Sequence, residues 1–199
     1  MILIKRKPIT FFFKYLSLLI FFHLNWFLHL KKIVNYAYNR GVHVIPELDA
    51  PAHVGEGFLE TGLVTCFNQQ PWDTYCFEPP CGQFDVTKDG VYDILEDIYR
   101  DMLDMFGNLK WFHMGGDEVK FICWEINESM TQWMKDHNYE LNDSGYMKLW
   151  GYFQENALER LDKVAWEKID KILMWTSDLT KEPYVDMYLD PNRYIIQVR

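Results

Sequence analysis

From Lys31 onward, stretches of helical hydrophobic period alternate with short β-rich runs, and this alternation restricts the fold more than any other feature. Strands separated by helices need crossover connections, so they are expected to lie parallel beneath a helical layer. Ile33, Tyr36, Ala37 and Arg40 suit a short amphipathic helix that Gly41 ends. Val42 to Leu48 then reads as a buried strand running into Asp49-Ala50-Pro51. Between Val91 and Phe106, Ile94, Leu95, Ile98, Met102, Leu103 and Phe106 recur at helical spacing, with Asp93, Glu96 and Asp97 in the early turns where the helix dipole favours acids, so a helix is expected there. Further strands are expected at Trp111 to Met114, Ile172 to Trp175 and Tyr194 to Val198, with a helix over Tyr146 to Lys163 and a short one before the last strand. The segment from Gly55 to Lys88 is too long for a plain connection. This gives an α/β class and four parallel strands, where a closed (β/α)8 TIM barrel has eight and typically about 250 residues. The expectation is a partial TIM barrel over residues 31–199.

A net charge of -9 excludes the basic footprint that nucleic-acid binding requires, so no nucleic-acid partner is expected. The chain is rich in aromatic side chains, 8 Trp, 12 Tyr and 14 Phe, which suits a dense core or a sugar-stacking surface. Cys66, Cys76, Cys81 and Cys123 lack the paired spacing of zinc or redox motifs, and two disulfides are expected. Asn-x-Ser sequons at Asn127 and Asn142 are glycosylation candidates, meaningful in a secreted chain.

Residues 1–30 read as a separate extension. Lys5, Arg6 and Lys7 precede a Phe-rich apolar run over residues 9–30, which imitates a signal peptide or a membrane anchor. Lys14, His23, Asn25 and His29 interrupt it, so a non-native extension is the competing expectation.

The chemistry concentrates at Trp111 to Val119, where two glycines and two adjacent acids, Asp117 and Glu118, follow a strand. In barrels the carboxyl end of the strands carries the catalytic groups. Neighbouring side chains on an extended segment point different ways, so one acid can reach a leaving oxygen while the other addresses a sugar substituent. The glycines let backbone approach a ligand closely. A solvated acidic pair is the plain alternative.

His113-Met114-Gly115-Gly116-Asp117-Glu118-Val119 resembles the signature of the family 20 glycoside hydrolases, and Val44 to Gly55, through Pro46, Glu47, Asp49 and His53, resembles that family's third-strand motif. Cys76 to Gly82 with Glu78, and Ile172 to Thr180 around Trp175, fit in order and spacing. Within the family the chain is most similar to insect-type chitin-degrading N-acetylglucosaminidases and fused-lobes-like enzymes. The resemblance implies a β-N-acetylhexosaminidase that removes terminal N-acetylglucosamine or N-acetylgalactosamine by substrate-assisted retaining catalysis, without metal or cofactor. It implies that Glu118 is the general acid/base, holding its proton through burial and the Asp117 charge. Asp117 would orient the 2-acetamido group, His53 would tune Glu118, Glu78 would reach the leaving-group side and Trp175 would wall the sugar pocket. His113, Glu47 and Asp49 are expected to be structural. The resemblance implies that the full-length protein can form a homodimer, and the chain is expected in the secretory pathway, secreted, lysosomal or plasma-membrane-associated, with residues 9–30 as the candidate membrane contact.

Four cysteines allow three pairings and the sequence does not choose among them; Cys76 with Cys81 and Cys66 with Cys123 are favoured, the second tying two active-site loops together. The resemblance covers the family's strands three to six. A partial barrel with unpaired strand edges is expected to be sticky and to turn over poorly by itself. The alternatives are a non-catalytic sugar-binding or partner-binding remnant, or an incomplete gene model.

Overall fold

A computed structural model describes residues 28–107, 109–165 and 169–198. The signal or anchor expected over residues 1–30 lies outside the described residues except for its last three. Among the described residues, no helix is long and apolar enough to cross a membrane. Residues up to Val44 and residues from Ile45 form two units. In the first, residues 28–38 form helix α1, and Gly41 follows it at φ +74°, a conformation glycine adopts at no steric cost.

The second unit carries the α/β architecture. Its elements are β1 (Val64–Thr65), α2 (Trp72–Tyr75), β2 (Gln83–Phe84), α3 (Asp89–Phe106), β3 (Trp111–His113), α4 (Phe121–Glu125), α5 (Glu128–Asp136), α6 (Asp143–Val164), β4 (Lys171–Trp175), α7 (Tyr184–Tyr188) and β5 (Tyr194–Gln197). Strands β3, β4 and β5 form a parallel sheet in that order, with Phe112 opposite Ile172 and Leu173 opposite Ile195. Strands β1 and β2 make a separate antiparallel pair inside the long segment.

The parallel sheet has three strands among the described residues, which corrects the expected four. The run Val42 to Leu48 contributes one parallel bridge, Glu47 to His113. Two hydrogen bonds flank it, His113 N–H to the Pro46 carbonyl (3.0 Å) and Leu48 N–H to the His113 carbonyl (3.1 Å). Pro46 has no N–H to extend the ladder, and Val42, 55% exposed, is not the buried strand residue its apolarity suggested.

Side-chain alternation divides the sheet into two faces. Phe112, Met114, Ile172 and Met174 are buried under the helices, Phe112 meeting Tyr99 of α3 edge-on at 5.5 Å. Helices α3 and α6 supply Leu95, Tyr99 and Leu103, and Leu149, Phe153, Ala157 and Leu161, to this core. Their outer edges are tied by Arg160 and Lys163 to Glu96, at 2.9 and 2.8 Å. His113 and Trp175 occupy the opposite face, with ring centroids 4.6 Å apart.

Candidate active site

The turn after β3 is built by glycines. Gly115 and Gly116 sit at φ +62° and +79°, left-handed conformations that ordinary residues avoid. The Gly116 N–H donates to Asp49 Oδ1 (3.0 Å), the Gly115 N–H to His113 Nδ1 (2.9 Å), and the Gly115 carbonyl accepts from the Trp175 N–H (3.0 Å). A side chain at residue 115 would fall on the Asp49 carboxylate. The strand thus reverses sharply and delivers the two acids to the carboxyl end of the sheet.

Asp117 is buried, 4% exposed, whereas Glu118 stays partly open to solvent. Glu118 Oε2 stands 3.0 Å from His53 Nε2, across from the loop that follows the Glu47 bridge. Both residues hold positive φ, +56° for Glu118 and +58° for His53. Non-glycine residues in that region are uncommon and cost on the order of 1 kcal/mol or more each.

Asp49 completes an acidic cluster. Burial pushes its carboxyl up to about 6; the Gly116 N–H and His53 pull it down, and the charges of Asp117 and Glu47 push it further up. One ligand atom each from Asp49, His53 and Asp117 lie within 4.8 Å of one another, close enough to share a divalent cation. His113 is held low chiefly by burial, against the raising fields of Glu47 and Asp117. It stays neutral, as an Nδ1 acceptor of the Gly115 N–H must.

Trp175 stands at the end of β4, its indole N–H donating to Glu47 Oε1 (2.7 Å). The sheet therefore brings Asp117, Glu118, His53 and Trp175 to one end. Glu78 is exposed on the loop beside Phe77.

That loop is fastened to the chain beyond the acids. Cys66 pairs with Cys123 and Cys76 with Cys81, the two pairs the sequence reading favoured. The Gln83 amide clamps the Lys120 backbone from both sides, accepting its N–H at 2.6 Å and donating to its carbonyl at 3.1 Å. Thr65 Oγ1 donates to the Cys123 carbonyl (3.0 Å) and the Trp124 indole to the Phe84 carbonyl (3.1 Å). Asn127 and Asn142, the two sequon residues, cap α5 and α6 through their side-chain oxygens.

A cavity of about 380 Å³ opens beside the acids, lined by Phe77, Asp117, Glu118, Trp150, Ser177 and Lys181 among others. The sequence reading missed Trp150, Ser177 and Lys181. Trp150 lies within the buried face of a helix, where no spacing signal separates it from core.

Residues 28–198 match the family described as "Glycosyl hydrolase family 20, catalytic domain". A chitooligosaccharidolytic β-N-acetylglucosaminidase of Bombyx mori is 48% identical over 169 residues, 85% of this chain and 28% of that protein. A probable β-hexosaminidase of Drosophila melanogaster is 39% identical over 75% of this chain and 22% of its own length. The chain thus spans about a quarter of the curated relatives it matches. Among solved structures, an exo-β-N-acetylglucosaminidase of Vibrio harveyi superposes with a TM-score of 0.65 at 18% identity, covering 86% of this chain and 25% of that one. A β-N-acetylhexosaminidase of Bacteroides fragilis gives 0.62 at 22% identity, covering 86% and 31%.

Proposed function

Because the chain belongs to glycosyl hydrolase family 20, we propose that its site removes terminal β-linked N-acetylhexosamine, from chitooligosaccharides or N-glycan ends, with the substrate's own acetamido group as nucleophile. The observation that carries this reading is the pairing of Glu118 with His53 at 3.0 Å beside a buried Asp117, at the carboxyl end of a parallel strand. The similarity to the Bombyx mori enzyme favours chitooligosaccharides.

The steps follow from that arrangement. Glu118, partly open to solvent, acts as the general acid and gives a proton to the glycosidic oxygen as the bond to the anomeric carbon breaks. The acetamido oxygen attacks that carbon and forms an oxazolinium ring. Asp117 is shielded from water, where a charge acts more strongly, and it holds the acetamido nitrogen and balances the positive charge that develops. Glu118, now a carboxylate, takes a proton from water as the water opens the ring, and the configuration is retained. His53 keeps the Glu118 carboxyl aimed. Trp175 offers a flat apolar face to the sugar ring.

The sheet β3-β4-β5 with the Glu47 bridge is read as a contiguous part of a (β/α)8 barrel, supported by its parallel order and its covering helices. The two disulfides and the sequons at Asn127 and Asn142 suit an oxidising, secretory environment. The test is hydrolysis of an aryl N-acetyl-β-glucosaminide by the purified chain beside Glu118→Gln. A rate at least a hundredfold lower in the variant is expected from loss of the acid/base (about 10²–10⁴-fold); equal rates refute the assignment.

A further inference from the structure

One side-chain hydrogen bond reaches across strand β3. The Trp175 indole N–H, on the last residue of β4, donates at 2.7 Å to Oε1 of Glu47, which pairs with β3 from its other side. The backbone fixes both ends. Glu47 is bridged to His113, with the His113 N–H on the Pro46 carbonyl at 3.0 Å and the Leu48 N–H on the His113 carbonyl at 3.1 Å. Trp175 is tied to β3 by its main-chain N–H, which the Gly115 carbonyl accepts at 3.0 Å, and to β5 by its pairing with Gln197. The His113 ring neighbours both side chains. Its centroid lies 4.6 Å from that of the indole at an interplanar angle of 48°, and its Nδ1 lies 3.6 Å from the same Glu47 oxygen.

A half-buried indole that leans on the His113 ring at a tilt can still turn about the bond joining it to Cβ, because that torsion has a broad energy profile. A directional bond at Nε1 gives the ring a second fixed point and removes that freedom. Glu47 supplies the bond. With its side chain 37% exposed, Glu47 fills no core, so the contact it makes is its contribution. Its place in the chain adds a consequence: it lies just ahead of Asp49, whose Oδ1 holds the Gly116 N–H, and of His53, whose Nε2 stands 3.0 Å from Glu118 Oε2. One short segment therefore sets both the angle of the Trp175 face and the residue opposite the acid/base.

Resting on the hexosaminidase reading, we propose that Glu47 is a positioning residue, which acts through the Trp175 indole N–H to hold the flat face that the N-acetylhexosamine ring meets. It touches no reacting atom and moves no proton. Its loss weakens binding of the sugar and raises KM, because the same wall is lost to substrate and transition state alike, and kcat stays near the parent value.

Calorimetric titration with N-acetylglucosamine across a double-mutant cycle, Glu47→Ala, Trp175→Phe and the two together, tests this. Trp175→Phe keeps an aromatic face and removes the N–H. Glu47→Ala is expected to bind the sugar about fivefold more weakly than the parent, the usual worth of one hydrogen bond, and to add no further loss in the Trp175→Phe background. Glu47→Gln, whose side-chain oxygen still accepts, is expected to bind as the parent does. Glu47→Leu takes the place of Glu47→Ala should the latter fail to fold. Losses that multiply in the double variant, equal weakening by Glu47→Gln and Glu47→Ala, unchanged affinity in Glu47→Ala, or no binding by the parent would each overturn the proposal. So would a fall in kcat with KM unchanged. Hydrolysis of the aryl glycoside separates the two ideas: a chain that loses its rate in Glu118→Gln but shows no coupling between Glu47 and Trp175 keeps the function and loses this role for Glu47. Coupled sugar binding with equal rates in the parent and Glu118→Gln does the reverse.

Discussion

His53 and Glu118 face each other at 3.0 Å, and each is held in the left-handed backbone region, at φ +58° and +56°. Two unrelated loops pay for the same contact with the same unfavourable conformation, which marks the pair as positioned by its surroundings. Comparing Glu118→Gly with Glu118→Ala isolates that backbone cost, since both lose the carboxylate. The glycine variant is expected to be more stable by about 1 kcal/mol, seen as a higher melting temperature, with neither variant hydrolysing substrate.

Asp49 makes stability depend on acidity in a defined direction. Its carboxyl, at about 6, binds a proton more tightly folded than unfolded, where the ordinary value of 3.8 applies. The folded state therefore holds the extra proton between those values, and stability falls as pH rises from about 4 to 6. Asp49→Asn keeps an acceptor oxygen for the Gly116 N–H and removes the titration. Melting temperatures measured from pH 4 to 8 should fall across that window in the parent relative to the variant, and a constant difference would contradict the assignment.

Two left-handed glycines differ in what surrounds them. Gly62, at φ +69°, has open space where a methyl group would go, whereas at Gly115 the methyl would strike Asp49. Gly62→Ala is expected to cost about 1 kcal/mol, from backbone alone. Gly115→Ala is expected to cost several times more, about 3 kcal/mol or above, and to displace Asp117 and Glu118. Chemical denaturation of both variants checks the ratio.

The two disulfides close loops of very different length, with sequence separations of 57 and 5. On the chain-entropy account, removing Cys66–Cys123 costs about 4 kcal/mol and removing Cys76–Cys81 about 2 kcal/mol. Paired Cys→Ala variants, measured by denaturant unfolding, should rank in that order. The first should also lower hydrolysis, because it loosens the segment directly after Glu118.

Long periodic elements were legible in the sequence because their apolar faces repeat over many turns. The expected Val91–Phe106 and Tyr146–Lys163 helices are α3 and α6 with small extensions at their ends. The motif around Asp117 and Glu118 was legible as well, since glycines before acids at a strand end have few uses. The Val42 to Leu48 strand misled because apolarity registers burial but not the missing N–H of Pro46. Helix α5 was missed because its capping residue, Asn127, was read as a sequon; its side chain accepts from Ser129 N–H and Met130 N–H at 3.1 and 3.3 Å. The Gln83 clamp on Lys120 joins positions 37 residues apart, and no local pattern announces such a bond.

The Trp175 indole commits its N–H to Glu47 and rests one side of its ring near His113. The face of the indole offers an apolar contact and no hydrogen-bonding atom. On the proposed function, that wall would therefore act by contour, favouring a ring whose C–H face can lie flat against the indole.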